Sequence, residues 1–259
     1  MPLQVQLLPT SSGDRTQSQP LTTYRVNRTI AIDAGSLGFA LPGVELATIE
    51  HVVLTHSHLD HTASLPIAID SAFTHLARPM RIYAAAPTLA AVRKHLFNDE
   101  IWVDFSQFKI PGTDWPCLEW VEMPPRKPIV LDGVRILPIP VTHPVPTVGL
   151  IVQTESASVV FTSDTWKTEE IWAEAAKLPN LKAVFVECSF PDELEKLARD
   201  SGHLTPRLVA EEAAKLGRQV PIYCVHLKPS MREKLQQQLA PYADRGIAPA
   251  EIGKVYAWP

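Results

Sequence analysis

The chain has 259 residues, of which 46% are hydrophobic and 20% are charged, and its formal net charge is −4. This hydrophobic content can build a sizeable core and excludes a disordered chain, while the acidic balance disfavours a general nucleic-acid binder, which usually has a basic face. The length is compatible with one α/β domain spanning residues 1–259. Three widely spaced cysteines form neither a disulfide framework nor a CxxC motif, and we find no membrane-length apolar run and no signal-peptide pattern. We therefore expect a cytoplasmic protein that does not associate with membranes.

The first predicted strands lead to a carboxylate. Residues 3–8 alternate between apolar and polar side chains, which predicts a strand, and residues 11–19 predict a polar loop. Residues 24–32 predict a second strand, and Asp33 follows it directly. An aspartate at the carboxyl end of a strand can belong to a site in an α/β sheet, or it can simply form a turn. The pattern leaves both interpretations open.

The stretch VVLTHSHLDH, residues 52–61, is the most informative part of the chain. A short β-branched run predicts a buried strand, and four polar residues follow it at once: His56, His58, Asp60 and His61. Neutral imidazoles and carboxylates are the ligands that divalent metals of the zinc type prefer. A loop leaving a rigid strand can direct alternate side chains to two neighbouring points. The stretch therefore predicts a metal site.

The middle of the chain changes character after two predicted helices. The first helix covers residues 64–77, and the second is capped by Thr88 and runs to about residue 96, with a strand at residues 81–84 between them. Residues 97–120 then lose regular periodicity and become rich in aromatic side chains. Such a cluster can form a satellite core, or it can line a pocket that stacks on a flat ligand. The residues alone do not decide between these two interpretations.

Ligand-type residues also follow the later predicted strands. These strands cover residues 118–123, 129–131, 134–140, 148–154, 159–162, 183–186 and 221–225. Taken along the whole chain, the residues found at or after strand ends are Asp33, His56, His143, Asp164, Glu187 and His226. Because the carboxyl ends of strands in a layered α/β fold share one edge, we expect these side chains to converge. Thr205 and Pro206 predict a helix start directly after His203.

The order of the candidate ligands along the chain resembles that of the metallo-β-lactamase superfamily. HSHLDH comes first, followed by a later histidine, an aspartate after a hairpin and a last histidine. This resemblance implies an α/β fold of the αββα sandwich type, with two mixed sheets between helical layers. It also implies two divalent metal ions, with zinc preferred over manganese or iron. One ion would be bound by His56, His58 and His143, the other by Asp60, His61 and His226, and Asp164 would bridge them.

A narrower resemblance concerns the substrate. Glu187 in VECSF and His203 in GHLTP are similar to a glutamate–histidine pair of the phosphodiesterase branch, and residues 95–108 are most similar to class II cyclic nucleotide phosphodiesterases, although Val103 replaces a frequent proline. The implied reaction is hydrolysis of cAMP or cGMP to the 5′-nucleotide by a hydroxide that bridges the two metals. The implied catalytic residues are Asp60, His203 and Glu187, and the implied substrate-binding residues are Asn98, Trp102 and Phe105.

Several other interpretations stay open. A tRNase Z-like RNA endonuclease shares the chemistry but needs a substrate arm and a basic surface, whereas an acyl hydrolase of the lactonase or thioesterase type has no need of the Glu187–His203 pair. A metal-stabilised binding module is a fourth candidate, and His203 could instead bond free amides at a helix start. The expected partner is a small cyclic nucleotide, and nucleic acid is disfavoured. The oligomeric state is open, with a homodimer as one candidate.

Overall fold

The computed structural model describes residues 1–14 and 16–259. The strands in this part of the chain are β1 (Leu3–Leu7), β2 (Tyr24–Val26), β3 (Ile30–Ile32), β4 (His51–Val53), β5 (Met80–Ala84), β6 (Leu118–Glu122), β7 (Ile129–Leu131), β8 (Val134–Pro140), β9 (Val148–Gln153), β10 (Ser158–Phe161), β11 (Leu181–Glu187), β12 (Ile222–Val225), β13 (Ile247–Pro249) and β14 (Val255–Trp258).

These strands form two sheets of seven. The first has the order β14-β1-β2-β3-β4-β5-β6, and the second has the order β13-β12-β11-β10-β9-β8-β7. Each sheet is mixed: strands β3 to β6 and strands β10 to β13 are parallel, whereas the remaining neighbours are antiparallel. The parallel strands of each half need crossover connections, and several helices lie in those connections.

The helices are α1 (Leu37–Ala40), α2 (Gly43–Leu46), α3 (Leu59–Thr62), α4 (Leu65–Ala72), α5 (Ala86–His95), α6 (Glu170–Ala176), α7 (Glu195–Ser201), α8 (Pro206–Ala214) and α9 (Arg232–Leu239). Short 3₁₀ segments cover Phe73–His75, Phe105–Gln107, Asp192–Leu194, Pro229–Met231 and Ala240–Arg245. Among the described residues, no helix is both long and apolar enough to cross a membrane.

Three clusters of buried hydrophobic residues lie between the four layers of the fold. The central cluster lies between the sheets, where Phe161 and Phe185 stack with ring centroids 5.2 Å apart and Tyr24 meets Phe161 edge-on at 4.9 Å. A second cluster joins α1, α2, α4 and α5 to the outer face of the first sheet, and a third joins α6, α8 and α9 to the outer face of the second. The predicted αββα arrangement, with two mixed sheets between helical layers, is confirmed.

Some predicted element boundaries were wrong. Residues 24–32 form two antiparallel strands rather than one, and Asn27 at the turn between them has a φ of +51°, a conformation that asparagine tolerates better than most residues. Helix α5 begins at Ala86, so Thr88 is a buried residue inside the helix and not its cap. Thr205 does occupy the position before α8, but its side chain makes no capping hydrogen bond.

Candidate metal centre

The tertiary structure brings the predicted ligand residues together in two groups. One consists of His56, His58, His143 and Asp164, and the other consists of Asp60, His61, Asp164 and His226. Within each group, the candidate ligand atoms all lie within 4.8 Å of one another. Each group could therefore hold a metal ion, and the shared Asp164 lies where a bridging ligand would be needed. The resemblance implied the same division of the residues.

Unusual backbone conformations occur where three of the strands end. Asp33, Ser163 and His226 have φ values of +58°, +56° and +59°, which place them in the left-handed region. Asp33 and His226 come directly after β3 and β12, and Ser163 precedes Asp164. Such conformations cost about 1–3 kcal/mol each and persist where surrounding contacts determine them, most often at functional sites. These conformations occur at the positions where the chain turns toward the ligand cluster.

Protein oxygens orient four of the imidazole rings. The Nδ1 atoms lie 3.0 Å from Thr55 Oγ1 for His56, 2.7 Å from Asp33 Oδ2 for His61, 3.0 Å from the Gly202 carbonyl for His143 and 2.7 Å from Ser189 Oγ for His226. The opposite ring nitrogens face the cluster, and the buried Nε2 of His56 has no hydrogen-bond partner among the described residues. A buried polar atom without a partner is costly, so a cation that accepts its lone pair fits this site.

The charges in the cluster suit the same role. Burial lowers the pKa of His56 well below its ordinary value. Burial by itself would raise the pKa of the Asp164 carboxyl, but the nearby His226 and His61 outweigh this effect. The pKa of Asp164 therefore lies well below its usual range. His56 is therefore neutral and Asp164 ionised near pH 7. These are the forms in which the two side chains bind divalent metals.

Asp33 has both of the roles that its sequence position left open. Its backbone turns at a positive φ, and its side chain is only 2% exposed. The carboxylate accepts hydrogen bonds from the Thr55 backbone N–H at 2.8 Å and from the Thr55 hydroxyl, and it lies 2.7 Å from His61 Nδ1. Asp33 therefore orients the ligand residue His61 without belonging to either group.

Glu187 and His203 form a buried pair beside the cluster. His203 Nδ1 lies 3.2 Å from Glu187 Oε1, which also accepts the Leu204 N–H at 2.8 Å. Burial by itself would lower the pKa of His203, but the Glu187 carboxylate outweighs this effect. The pKa of His203 is therefore raised above its ordinary value. The His203 ring centroid is 5.4 Å from that of His226 and 5.2 Å from that of His143. The pair thus adjoins both groups of candidate ligands.

Two hydroxyl groups in this region were missed by the sequence reasoning. Ser189 Oγ contacts Glu187, His203 and His226, so hydrogen bonds account for the clustering of those three side chains. Alternation along an extended chain places residues 187 and 189 on the same side, and this pattern could have placed the serine beside Glu187 but not beside His226. Thr55 carries no comparable signal, because its role depends on Asp33, which is distant along the chain.

The three residues predicted to bind substrate lie in a different environment. Phe105 is 5% exposed and packs against Phe73 and Phe108, with ring centroids 5.9 and 5.6 Å away, in the cluster between the first sheet and its helices. Trp102 packs against the same cluster, and Asn98 Oδ1 accepts the backbone N–H of Ile101 in a local turn. These contacts favour the satellite-core interpretation of the aromatic segment. The substrate-binding role of the three residues stays a prediction.

Gly202 supports His143 at close range. Its φ is +72°, and a Cβ atom at this position would lie 2.5 Å from Pro144 Cδ and 2.9 Å from His143 Nδ1. We expect Gly202→Ala to destabilise the fold by about 2 kcal/mol or more, since the left-handed conformation costs about 1–2 kcal/mol and overpacking adds a similar amount. Displacement of His143 should also reduce metal binding. Urea denaturation and metal analysis would measure the two effects.

Gly217 offers a matched control for this substitution. It also has a positive φ, +65°, but apart from its chain neighbours no atom of the described residues lies within 4 Å of the position that its Cβ would occupy. Gly217→Ala should therefore show only the backbone cost, about 1–2 kcal/mol, with normal metal binding. If the two alanine variants behaved alike, the close approach of Gly202 to His143 would have no functional importance.

Comparison with known families agrees with this geometry. Residues 28–227 match a family model described as a beta-lactamase superfamily domain. The chain belongs to this superfamily. The matched region includes both candidate ligand groups, from His56 to His226, and the Glu187–His203 pair. The superfamily membership that the spacing of histidines and aspartates implied is therefore confirmed.

Two curated relatives of this chain have names that describe the same reaction. A probable 3′,5′-cyclic-nucleotide phosphodiesterase from Yersinia pestis is 25% identical over 213 residues, which cover 72% of this chain and 59% of the relative. The 3′,5′-cyclic-nucleotide phosphodiesterase 1 of Saccharomyces cerevisiae is 26% identical over 186 residues, which cover 63% of this chain and 49% of the relative. The chain thus spans about half the length of the curated relatives that it matches.

A solved structure shares the fold over nearly the whole chain. The crystal structure of unliganded yeast PDE1 superposes with a TM-score of 0.77 and 18% sequence identity, covering 98% of each chain. At this level of identity the likeness concerns the fold. It supports the arrangement of two mixed sheets between helical layers.

Proposed function

We propose that this chain is a metal-dependent phosphodiesterase that hydrolyses 3′,5′-cyclic nucleotides to 5′-nucleotides. The observation that carries the proposal is the buried Glu187–His203 pair beside the two candidate ligand groups. Acyl hydrolysis does not need such a pair, because its leaving group and charge distribution differ from those of a phosphodiester. The names of the two curated relatives support the same substrate class.

His203 is the proposed general acid. Its Nδ1 is held by Glu187, so Nε2 is the nitrogen that can donate a proton to the departing 3′ oxygen. Glu187 favours the protonated imidazole and fixes its orientation through the hydrogen bond to Nδ1. Asp60, whose side chain is 34% exposed, is the carboxylate in the cluster that is most accessible to solvent and would orient the attacking water.

The two ligand groups would hold two metal ions in this proposal. Two divalent ions, zinc by preference and manganese or iron as alternatives, would supply a hydroxide nucleophile at neutral pH and offset the negative charge of the phosphate oxygens. His56, His58 and His143 would bind one ion and Asp60, His61 and His226 the other, while Asp164, which belongs to both groups, would bind both ions.

A groove beside His143 is consistent with a small-molecule substrate. Its volume is about 640 Å³, and its walls include Pro87, Glu122, Pro144 and Pro146. This volume lies in the range typical of sites for small molecules and cofactors. The mostly apolar wall next to a candidate metal ligand could receive a nucleoside while its phosphate reaches the cluster.

An assay panel tests the proposal. The purified chain, loaded with a defined divalent metal, would be given cAMP, cGMP, bis(p-nitrophenyl) phosphate, a lactone and a precursor tRNA. We expect turnover of at least one cyclic nucleotide and of the nitrophenyl ester. Turnover of the lactone alone would contradict phosphodiesterase activity, and cleavage of the tRNA without cyclic nucleotide turnover would favour an RNA endonuclease.

A further inference from the structure

Two buried hydroxyl groups occupy equivalent places in the two halves of the site. Ser189, which is 0% exposed, has its Oγ 2.7 Å from His226 Nδ1 and 2.8 Å from Glu187 Oε2. It therefore lies between a buried carboxylate and one candidate ligand. This candidate ligand belongs to the group that contains Asp60 and His61.

Thr55 makes the same pair of contacts in the other half of the molecule. Its Oγ1 lies 3.0 Å from His56 Nδ1 and 2.9 Å from Asp33 Oδ2, and the threonine is 2% exposed. His56 belongs to the group that contains His58 and His143. Each group of candidate ligands thus contains one histidine that reaches a buried carboxylate through a hydroxyl.

The number of hydrogens determines the direction of these bonds. A hydroxyl has one hydrogen to donate, and an ionised carboxylate can only accept. The hydroxyl hydrogens of Ser189 and Thr55 therefore point to Glu187 and Asp33, and each hydroxyl oxygen accepts a hydrogen from the Nδ1 of its histidine. A neutral imidazole that is protonated at Nδ1 has a free lone pair at Nε2, which is the form a metal requires.

The Nε2 atoms lie beside carboxylate oxygens, where a metal ion between them would accept the Nε2 lone pairs. His226 Nε2 lies 3.0 Å from Asp60 Oδ2 and 3.5 Å from Asp164 Oδ2, and His56 Nε2 lies 3.8 Å from the same Asp164 oxygen. Both nitrogens therefore face the shared carboxylate between the two groups. His61 differs, because its Nδ1 contacts Asp33 directly and needs no hydroxyl.

We propose that Ser189 and Thr55 are positioning residues, each of which connects a buried carboxylate to one metal-binding histidine and sets its tautomer. Ser189 would serve the ion held by the Asp60 group, and Thr55 the ion held by the His58 group. The inference rests on the metal-binding part of the proposed function but not on its substrate.

Single substitutions test the two hydroxyls separately. We expect Ser189→Ala and Thr55→Val each to weaken the binding of one ion by about 10–100-fold, the usual effect of removing a hydrogen-bond partner of a metal ligand, while the second ion stays bound. Elemental analysis after dialysis against graded chelator would give the number of zinc ions retained. Ser158→Ala is the control, since Ser158 is a buried serine of β10 that bonds Gln153 outside the cluster.

Double variants identify which ion each hydroxyl serves. His58→Ala removes a ligand from the Thr55 side, so adding Thr55→Val should leave one ion bound, whereas adding Ser189→Ala should leave none at the same chelator concentration. Ser189→Thr retains the hydroxyl and should restore binding toward that of the unmodified chain. Circular dichroism of each metal-free variant would check that it is folded.

Three results would overturn the inference. The first is that Ser189→Ala and Thr55→Val bind metal as well as Ser158→Ala does. The second is that either single variant loses both ions. The third is that Ser189→Ala and Thr55→Val lose the same ion. The measurement uses no substrate, so failure of cyclic nucleotide hydrolysis would contradict the proposed reaction and leave this test intact.

Discussion

Asp164→Ala is expected to disrupt binding of both metal ions and to abolish turnover. The Asp164 side chain is 3% exposed, and its Oδ2 lies 3.8 Å from His56 Nε2, 3.4 Å from His61 Nε2 and 3.5 Å from His226 Nε2. No other described residue belongs to both of these groups. Its loss should weaken metal binding by at least about 100-fold, the upper end of the effect seen for residues one step further from a metal. Elemental analysis and hydrolysis of bis(p-nitrophenyl) phosphate would measure both effects.

Asp70 provides a control for this substitution. It is an exposed aspartate on α4, and Asp70→Ala should leave metal content and turnover unchanged. Circular dichroism would establish that the Asp164 variant is folded. If that variant kept two ions and full activity, the assignment of a bridging role to Asp164 would be wrong.

His203→Ala is expected to retain both ions and to lose about 100-fold or more in the rate of cyclic nucleotide hydrolysis, the scale of one general acid. The loss should depend on the leaving group. A cyclic nucleotide releases an alkoxide that needs a proton, whereas bis(p-nitrophenyl) phosphate releases a stable phenolate. We therefore expect a much smaller loss of kcat with the nitrophenyl ester, measured on the same metal-loaded preparation.

The exposed His95 on α5 is the matched control, and His95→Ala should behave like the unmodified chain. Loss of metal from the His203 variant would instead make His203 a structural residue. Equal losses on the two substrates would contradict its role as an acid, because the requirement for protonation differs between them.

Much of the candidate site could be predicted because metal-binding chemistry is carried by few residue types at short spacing. HSHLDH places four such residues within six positions, and the remaining ones follow predicted strands. The convergence of strand ends then follows from the layered architecture. The structure groups these residues in the same two sets that the resemblance implied.

Other features depended on contacts between distant parts of the chain. The aromatic segment could not be assigned from its composition, because a buried Phe105 and a pocket-lining one have the same local sequence. Its contact with Phe73 of the 3₁₀ segment after α4 decides its environment. In the same way, one strand was predicted over residues 24–32 because β-branched and apolar residues lie on both sides of Asn27, where the chain turns.

The local order of histidines and aspartates was sufficient to identify the superfamily, the layered fold and the candidate ligands. Only the folded chain established how those ligands are held, because Ser189 reaches His226 across 37 positions and Thr55 reaches Asp33 across 22. The physical reason is that a metal ligand is recognised by its own chemistry, whereas a hydrogen-bond partner is defined by the position of another residue. Partners of that kind become apparent only when neighbouring strands lie side by side.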